Sequence, residues 1–171
     1  VFLGIETPDE ESLKEAQKLQ NTRRSLLESV QRIQRYGMEV MAGFIVGFDS
    51  DPENIFDRQV EFIQESAIPM AMVGLLCALP NTQLYRRLER EGRLIEAHSG
   101  DNMDLRLNFV PKMNPQKLID GYRSILKRIY HPDAYYDRAR RYLAQMPRDL
   151  HPGRATSWSD YKALVRSMVQ Q

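Results

Sequence analysis

Cysteine is nearly missing from this sequence: Cys77 is the only one in 171 residues. One thiol excludes an internal disulfide and any multi-cysteine metal centre held within a single chain. It also suits a reducing, cytoplasmic setting. Long apolar runs are scarce as well. The longest, 40–48 and 70–79, fall far short of the roughly 20 residues a membrane helix needs, so no membrane partner is expected, and no secretory leader pattern opens the chain. The three histidines, His98, His131 and His151, lack metal-ligand spacing, and the latter two each precede a proline, as turn residues do. The chain has no charge of one dominant sign, with a net charge of +1.

The charge is unevenly placed. Residues 1–110 hold 12 Lys+Arg against 18 Asp+Glu, and residues 111–171 hold 12 against 5. A basic tail is one mark of nucleic-acid binding. Here the basic residues sit at helical spacing with no interleaved base-stacking motif. The tail therefore reads as a complement to the acidic half or to a further domain, not as a nucleic-acid surface. The length and the ordinary composition, 42% hydrophobic and 27% charged, allow one domain with a sizeable core.

Residues 1–95 alternate strand and helix three times. Residues 1–5 form an apolar run without polar alternation, as expected of a strand covered on both faces. Thr7-Pro8-Asp9-Glu10 predicts a helix start, with Thr7 as cap, Pro8 at the first helical position and Glu10 completing a capping box. That helix is expected to run to about Leu19. A second begins at Asn21-Thr22, with Leu26, Leu27, Val30 and Ile33 inward, and stops at Gly37. Residues 40–46 predict the next strand, and Asp51-Pro52-Glu53 the cap of a helix through Gln64. Residues 70–78 predict the third strand, and Pro80-Asn81-Thr82 leads a helix to Glu91. This is the pattern of a parallel α/β unit. Residues 96–171 differ: a polar loop at 98–102, a short extended segment at 105–110, an amphipathic helix capped by Asn114-Pro115 and broken at His131-Pro132, another helix at 134–144, a linker at 146–156 and a last amphipathic helix at 158–169.

Several residues sit where chemistry is done. Glu6 follows a glycine at the C-terminal end of a parallel strand, the edge where ligands bind in such sheets. Its carboxylate can accept hydrogen bonds from a ribose hydroxyl or an amine. Thr7 is explained by capping alone. Gly43, Ile45 and Gly47 point to one face of the second strand, and two glycines there leave room for a flat group such as adenine, or for tight packing. Asp49, Ser50, Asp51 and Glu53 cluster after that strand and read as a helix N-terminus more than as a metal site. Cys77 lies in an apolar strand, as inert core cysteines do. Lys18 and Arg23 or Arg24 are surface charges by default that could pair with a ligand carboxylate.

Gly4-Ile5-Glu6-Thr7-Pro8, followed by Glu11-Ser12-Leu13-Lys14 and Lys18, resembles radical S-adenosylmethionine enzymes of the cobalamin-binding-domain group. Gly37-Met38-Glu39-Val40 through Phe44-Ile45-Val46-Gly47 is similar to that family's next strand. Ala78-Leu79-Pro80-Asn81-Thr82-Gln83-Leu84-Tyr85 and Glu91-Gly92-Arg93-Leu94 resemble its Leu-Pro-Gly-Thr-x-Leu-Tyr and Glu-Gly-Arg-Leu signatures. The resemblance covers residues 1 to about 95 and differs at two points. Asn81 replaces the usual glycine, and Ser50 stands where some members carry an acidic residue.

The resemblance implies half of a partial (β/α)6 TIM-like barrel with parallel strands (1–95), then a C-terminal α-helical extension (96–171). It implies a parent enzyme whose first half carries Cys-x-x-x-Cys-x-x-Cys for a 4Fe-4S cluster. S-adenosylmethionine would chelate that cluster, cobalamin could serve as a further cofactor, and radical methyl transfer or another modification would be the reaction. By position, Glu6 would meet the ribose, with Thr7 beside it in the cofactor site, Lys18 the methionyl carboxylate, Gly43, Ile45 and Gly47 the adenine, and Ala78, Leu79 and Pro80 the adenine or substrate side. With one cysteine, the chain alone should not bind the cluster and should be inactive. Its start in mid-strand at Val1 reads as a piece of a longer protein. The partners so implied are the missing N-terminal half-barrel or, through the open strand edge and uncovered apolar face, a second copy of the chain. Two other readings compete: a non-catalytic α/β module binding a nucleotide or protein, and an unrelated barrel enzyme using Glu6 and Asp49 as acid and base.

Overall fold

The computed structural model of the chain describes residues 1–22, 25–95 and 107–147, with 157–159, 161–162 and 166 beyond them. Arg23, Arg24, His98, His151, the linker expected after residue 147 and most of the last expected helix lie outside these residues. The fold is α/β. The strands are β1 (Phe2–Glu6), β2 (Met41–Val46) and β3 (Met70–Leu75), all parallel in the order β1-β2-β3. The helices among the described residues are α1 (Glu10–Glu15), α2 (Leu26–Arg35), α3 (Ile55–Glu65), α4 (Gln83–Arg90), α5 (Pro115–Ile129) and α6 (Pro132–Gln145), with a 3-10 turn at Leu19–Thr22.

Register decides which side chains share a face. Leu3, Ala42 and Ala71 align across the three strands, as do Gly4, Gly43 and Met72. Ala42, Phe44, Val46 and Ala71 are buried and join Val30 of α2, Ile55 and Ile63 of α3, and Leu118, Ile125 and Ile129 of α5 in the main core. The opposite face carries Phe2, Gly43, Ile45, Met70 and Met72, and here Phe2 is 60% exposed and Met72 57%. Among the described residues the strands are thus covered on one face only, as the half-barrel reading expected and against the expectation from their uniform hydrophobicity. An apolar run without alternation tells that both faces are apolar, not that both have partners.

The helix extension belongs to the same core. Asn114 Oδ1 accepts from the Lys117 amide (3.1 Å) to start α5, and the Leu118–Tyr122–Ile125–Ile129 stripe lies on α3 and β3. Gly121 lets the Phe56 ring close onto α5: a methyl at that position would sit 2.3 Å from the ring. Arg138 of α6 is fully buried. Its guanidinium donates to the carbonyls of Ile68 (2.9 Å), Ile129 (2.5 Å) and Pro69 (3.3 Å) and to Gln64 Oε1 (2.8 Å), and it lies over the Tyr130 and Tyr135 rings. Burial lowers its affinity for the proton.

A second, smaller core of Phe48, Leu76, Ala78, Leu88 and Phe109 sits beyond the C-terminal ends of the strands. Asn108 clamps it by bonding both the amide (3.0 Å) and the carbonyl (2.8 Å) of Ala78. Leu94 and Phe109 form an isolated antiparallel bridge.

Candidate functional site

The first helix begins and ends differently from the sequence expectation, and both differences shape the site. Asp9, not Thr7, is the N-cap of α1, accepting from the Ser12 amide (3.0 Å). Thr7 is buried, and its Oγ1 accepts from the Asp9 amide (3.2 Å). The helix stops at Glu15 instead of about Leu19. Gln17 takes a left-handed φ of +57°; its amide donates to Lys14 O (3.0 Å) and that of Lys18 to Leu13 O (2.8 Å). This is the Schellman arrangement, and it turns Lys18 back toward β1.

A β-bulge between Gly4 and Glu6 breaks the register with β2, and Glu6 has a φ of +67°. Left-handed backbone at a residue with a side chain is costly and collects at functional sites. The result is a carboxylate aimed off the strand end, with Lys18 Nζ 3.0 Å from Glu6 Oε1. Both line a cleft of about 800 Å³ at the C-terminal ends of the strands.

Four of the residues expected at a site come together in that cleft: Glu6, Lys18, Ile45 and Leu79. The others lie elsewhere. Thr7 is tied up in its turn. Gly43 lies on the same open sheet face as Ile45, but the Phe2 ring packs over it. Gly47 is buried under Leu118, and its amide donates to Asp51 (2.7 Å). Ala78 is buried against Asn108, and Pro80 is exposed beyond the rim.

The acidic residues after β2 are engaged within the protein. Asp49 takes Arg93 through two bonds of 2.7 Å and Arg87 at 3.2 Å. Burial would push the Asp49 carboxyl up, but Arg93, with Arg87 and Lys112 behind it, holds it below the usual range. Asp51 does not cap α3; Asn54 stands at that position without a side-chain bond. Asp51 instead accepts from the amides of Gly47 and Phe48 (3.1 Å) and from Ser12 Oγ (2.8 Å), tying the end of β2 to α1. Burial pushes its carboxyl up to about 6, against the pull of those donors. Glu53 is exposed and pairs with Lys117 at 2.9 Å.

The cleft also has walls that sequence reasoning passed over. Glu15 accepts from the amide and hydroxyl of Ser50 (3.0 and 2.7 Å) and from Arg87 (2.6 Å). Gln17 bonds Gln83 across the cleft. Arg86, Arg87 and Arg90 line it from α4. The signal for them was there: arginines three and four apart behind the Thr82 cap put two or more on one helix face. Cys77 lines the cleft with its Sγ 3.6 Å from Leu75 O. Among the described residues no group of three or more His, Cys, Asp or Glu could hold a metal ion, and no helix is long and apolar enough to cross a membrane.

The profile of a family described as a domain of unknown function (DUF4070) matches residues 82–171. An uncharacterized methyltransferase of Synechocystis sp. is 45% identical over 139 residues, 81% of this chain and 26% of the relative. The hopanoid C-2 methylase of Rhodopseudomonas palustris is 37% identical over 138 residues, 81% of this chain and 25% of the relative. The bacteriochlorophyllide d C-12(1)-methyltransferase of Chlorobaculum tepidum is 23% identical over 137 residues, 80% of this chain and 30% of the relative. The chain thus spans less than a third of each of these relatives, and all three are named as methylating proteins.

Proposed function

The chain belongs to the family described as a domain of unknown function (DUF4070), and on that premise we propose that it forms one wall of the cofactor site of a radical S-adenosylmethionine enzyme that transfers methyl groups. The observation that carries the reading is Glu6, held left-handed at a strand end and paired with Lys18 inside the cleft. The names of the relatives support the reaction class.

The residues fit S-adenosylmethionine in kind. A carboxylate at a strand end accepts both hydroxyls of a ribose, and an ammonium beside it pairs with a ligand carboxylate. Each holds the other in place before a ligand arrives, which lowers the cost of ordering them on binding. Ile45 and Leu79 offer apolar surface to an adenine ring, and Gly43 on the same open sheet face adds flat backbone once Phe2 moves aside. When bound, S-adenosylmethionine supplies the methyl group or the radical chemistry.

A 4Fe-4S cluster does not fit this chain: such a cluster is held by several thiolates, and Cys77 is alone. The cluster, and any cobalamin, would be held by other parts of the parent protein. The remaining barrel strands would lie against the uncovered face of β1–β3 and the outer edge of β1.

Titration of S-adenosylmethionine into the chain, followed by amide chemical shifts, tests the reading. Weak binding that moves residues 6, 18, 45 and 79 and disappears in Glu6→Ala is expected. Submillimolar affinity that Glu6→Ala leaves unchanged would place the site elsewhere. Tight binding of other nucleotides in preference would favour a nucleotide-binding module.

A further inference from the structure

The three arginines of α4 have unlike surroundings. Arg87 is taken up by Glu15 and Asp49. Arg86 and Arg90 line the same cleft, are exposed, and meet no carboxylate among the described residues. They stand four residues apart, so both belong to one helix face. Arg90 Nε donates to the Arg86 carbonyl (3.2 Å), which holds the side chain back along the helix toward Arg86. The helix dipole accounts for a cation at Arg90, in the last turn, but not for one at Arg86.

Close by, the cleft is apolar: Phe48, Leu76, Leu79 and Leu84 line it. Like charges one turn apart repel each other. A ligand with an apolar body and an anionic end relieves that repulsion while covering the apolar wall of the same cleft.

We propose that Arg86 and Arg90 form an anion subsite that takes the carboxylate or phosphate end of an otherwise apolar substrate. The part of the cleft at Glu6 and Lys18 is left to the cofactor. The proposal names a substrate class for the cleft already described and rests on that reading of it. A guanidinium pair suits either anion, because its planar forks match the oxygens of both.

The test uses decanoate and decyl phosphate as probes and decanol as the uncharged control, each titrated into the chain below its micelle concentration and followed by amide shifts. Both anions are expected to move residues 79, 86 and 90 and to bind more tightly than decanol. The tighter of the two identifies the group the subsite prefers. Joint replacement Arg86→Gln and Arg90→Gln is expected to weaken anion binding about tenfold, as for loss of a charge-assisted pair, and added salt to weaken it in the same direction. Decanol binding as tightly as the anions, no loss in the double variant, or no binding of any probe overturns the proposal. Glu6→Ala separates the two readings: it is expected to remove S-adenosylmethionine binding and leave decanoate binding unchanged.

Discussion

Lys18 and Arg93 hold the same place at two different helix ends. Each lies just past a left-handed residue, Gln17 and Gly92, and each donates its amide to the residue five positions back, Leu13 at 2.8 Å and Leu88 at 2.9 Å. Each then reaches an acidic partner at a strand end, Glu6 for Lys18 and Asp49 for Arg93. One backbone device thus delivers two cations to the edge where the cleft lies. Gly92 has a φ of +65°, with open space where a methyl would stand. Gly92→Ala is therefore expected to cost about 1–2 kcal/mol through backbone strain alone. Arg93→Lys is expected to cost a similar amount by a different route, since an ammonium cannot take Asp49 in two parallel bonds. Urea unfolding of the two variants checks both, and a Gly92→Ala protein as stable as the original would refute the strained turn.

The Asp51 carboxyl makes stability depend on pH in an unusual direction. Its folded value, raised to about 6, means the folded state holds the proton more tightly than the unfolded chain. That contribution is whole below the ordinary carboxylate value and is lost as pH rises through about 6. Its size is about 3 kcal/mol at most, from the gap between the folded and ordinary values. Asp9 and Asp49 are shifted the other way, and their contributions fade only as pH falls below that ordinary value, so the windows do not overlap. Asp51→Asn is expected to flatten the decline in unfolding free energy between about pH 4 and 6. Equal slopes with and without the change would show that Asp51 is not the group responsible.

Gly121→Ala sets two known effects against each other. Alanine favours a helix over glycine by about 1 kcal/mol, while forcing a methyl against a packed ring costs about 1–3 kcal/mol. The Phe56 ring leaves no room, so net destabilisation is expected in thermal unfolding. Pairing the change with Phe56→Leu should recover most of it. A single variant more stable than the original chain would mean that α3 and α5 part easily.

The uncovered sheet face predicts self-association. Phe2, Met70 and Met72 are exposed together, and the outer edge of β1 is only partly occupied, by Asn21 bonding the carbonyls of Gly4 (3.2 Å) and Ile5 (3.3 Å). Open edges and apolar faces recruit partners. The chain is expected to dimerise at tens of micromolar by light scattering. Met72→Lys should return it to a monomer, and Asn21→Ala, by freeing two carbonyls, should tighten the dimer. A chain that stays monomeric without either change would rule this out.

Much of the fold was legible because apolar runs and turn residues are local signals. The three strands, the helix starts at Asn114-Pro115 and Pro80-Asn81-Thr82 and the stop at Gly37 needed no knowledge of neighbours. Asn81, which stands where the resembled family has glycine, adopts a φ of +67°, in the left-handed region that asparagine tolerates. What stayed hidden depends on residues far apart in sequence. Asp51 looked like a helix cap because an acidic residue before Pro52 commonly is one; its actual partners, Gly47, Phe48 and Ser12, are set by how β2 meets α1. The early end of α1 was hidden for a different reason, since Gln17 is a poor signal for a left-handed stop that glycine would have announced. Within the site, Glu6 and Lys18 carried motif spacing, whereas Arg86 and Arg90 matter only because their neighbour Arg87 is already paired.

Arg138 binds mostly main-chain oxygens, those of Ile68, Pro69 and Ile129. Backbone carbonyls do not change when side chains do, so Arg138 places no demand of its own on the side chains at those three positions; Ile68 and Ile129 answer instead to the core they fill. The same bonds make the last turn of α5, the approach to β3 and the middle of α6 open as one unit. Their amides should exchange with solvent deuterium together, at one common rate set by the departure of a single side chain.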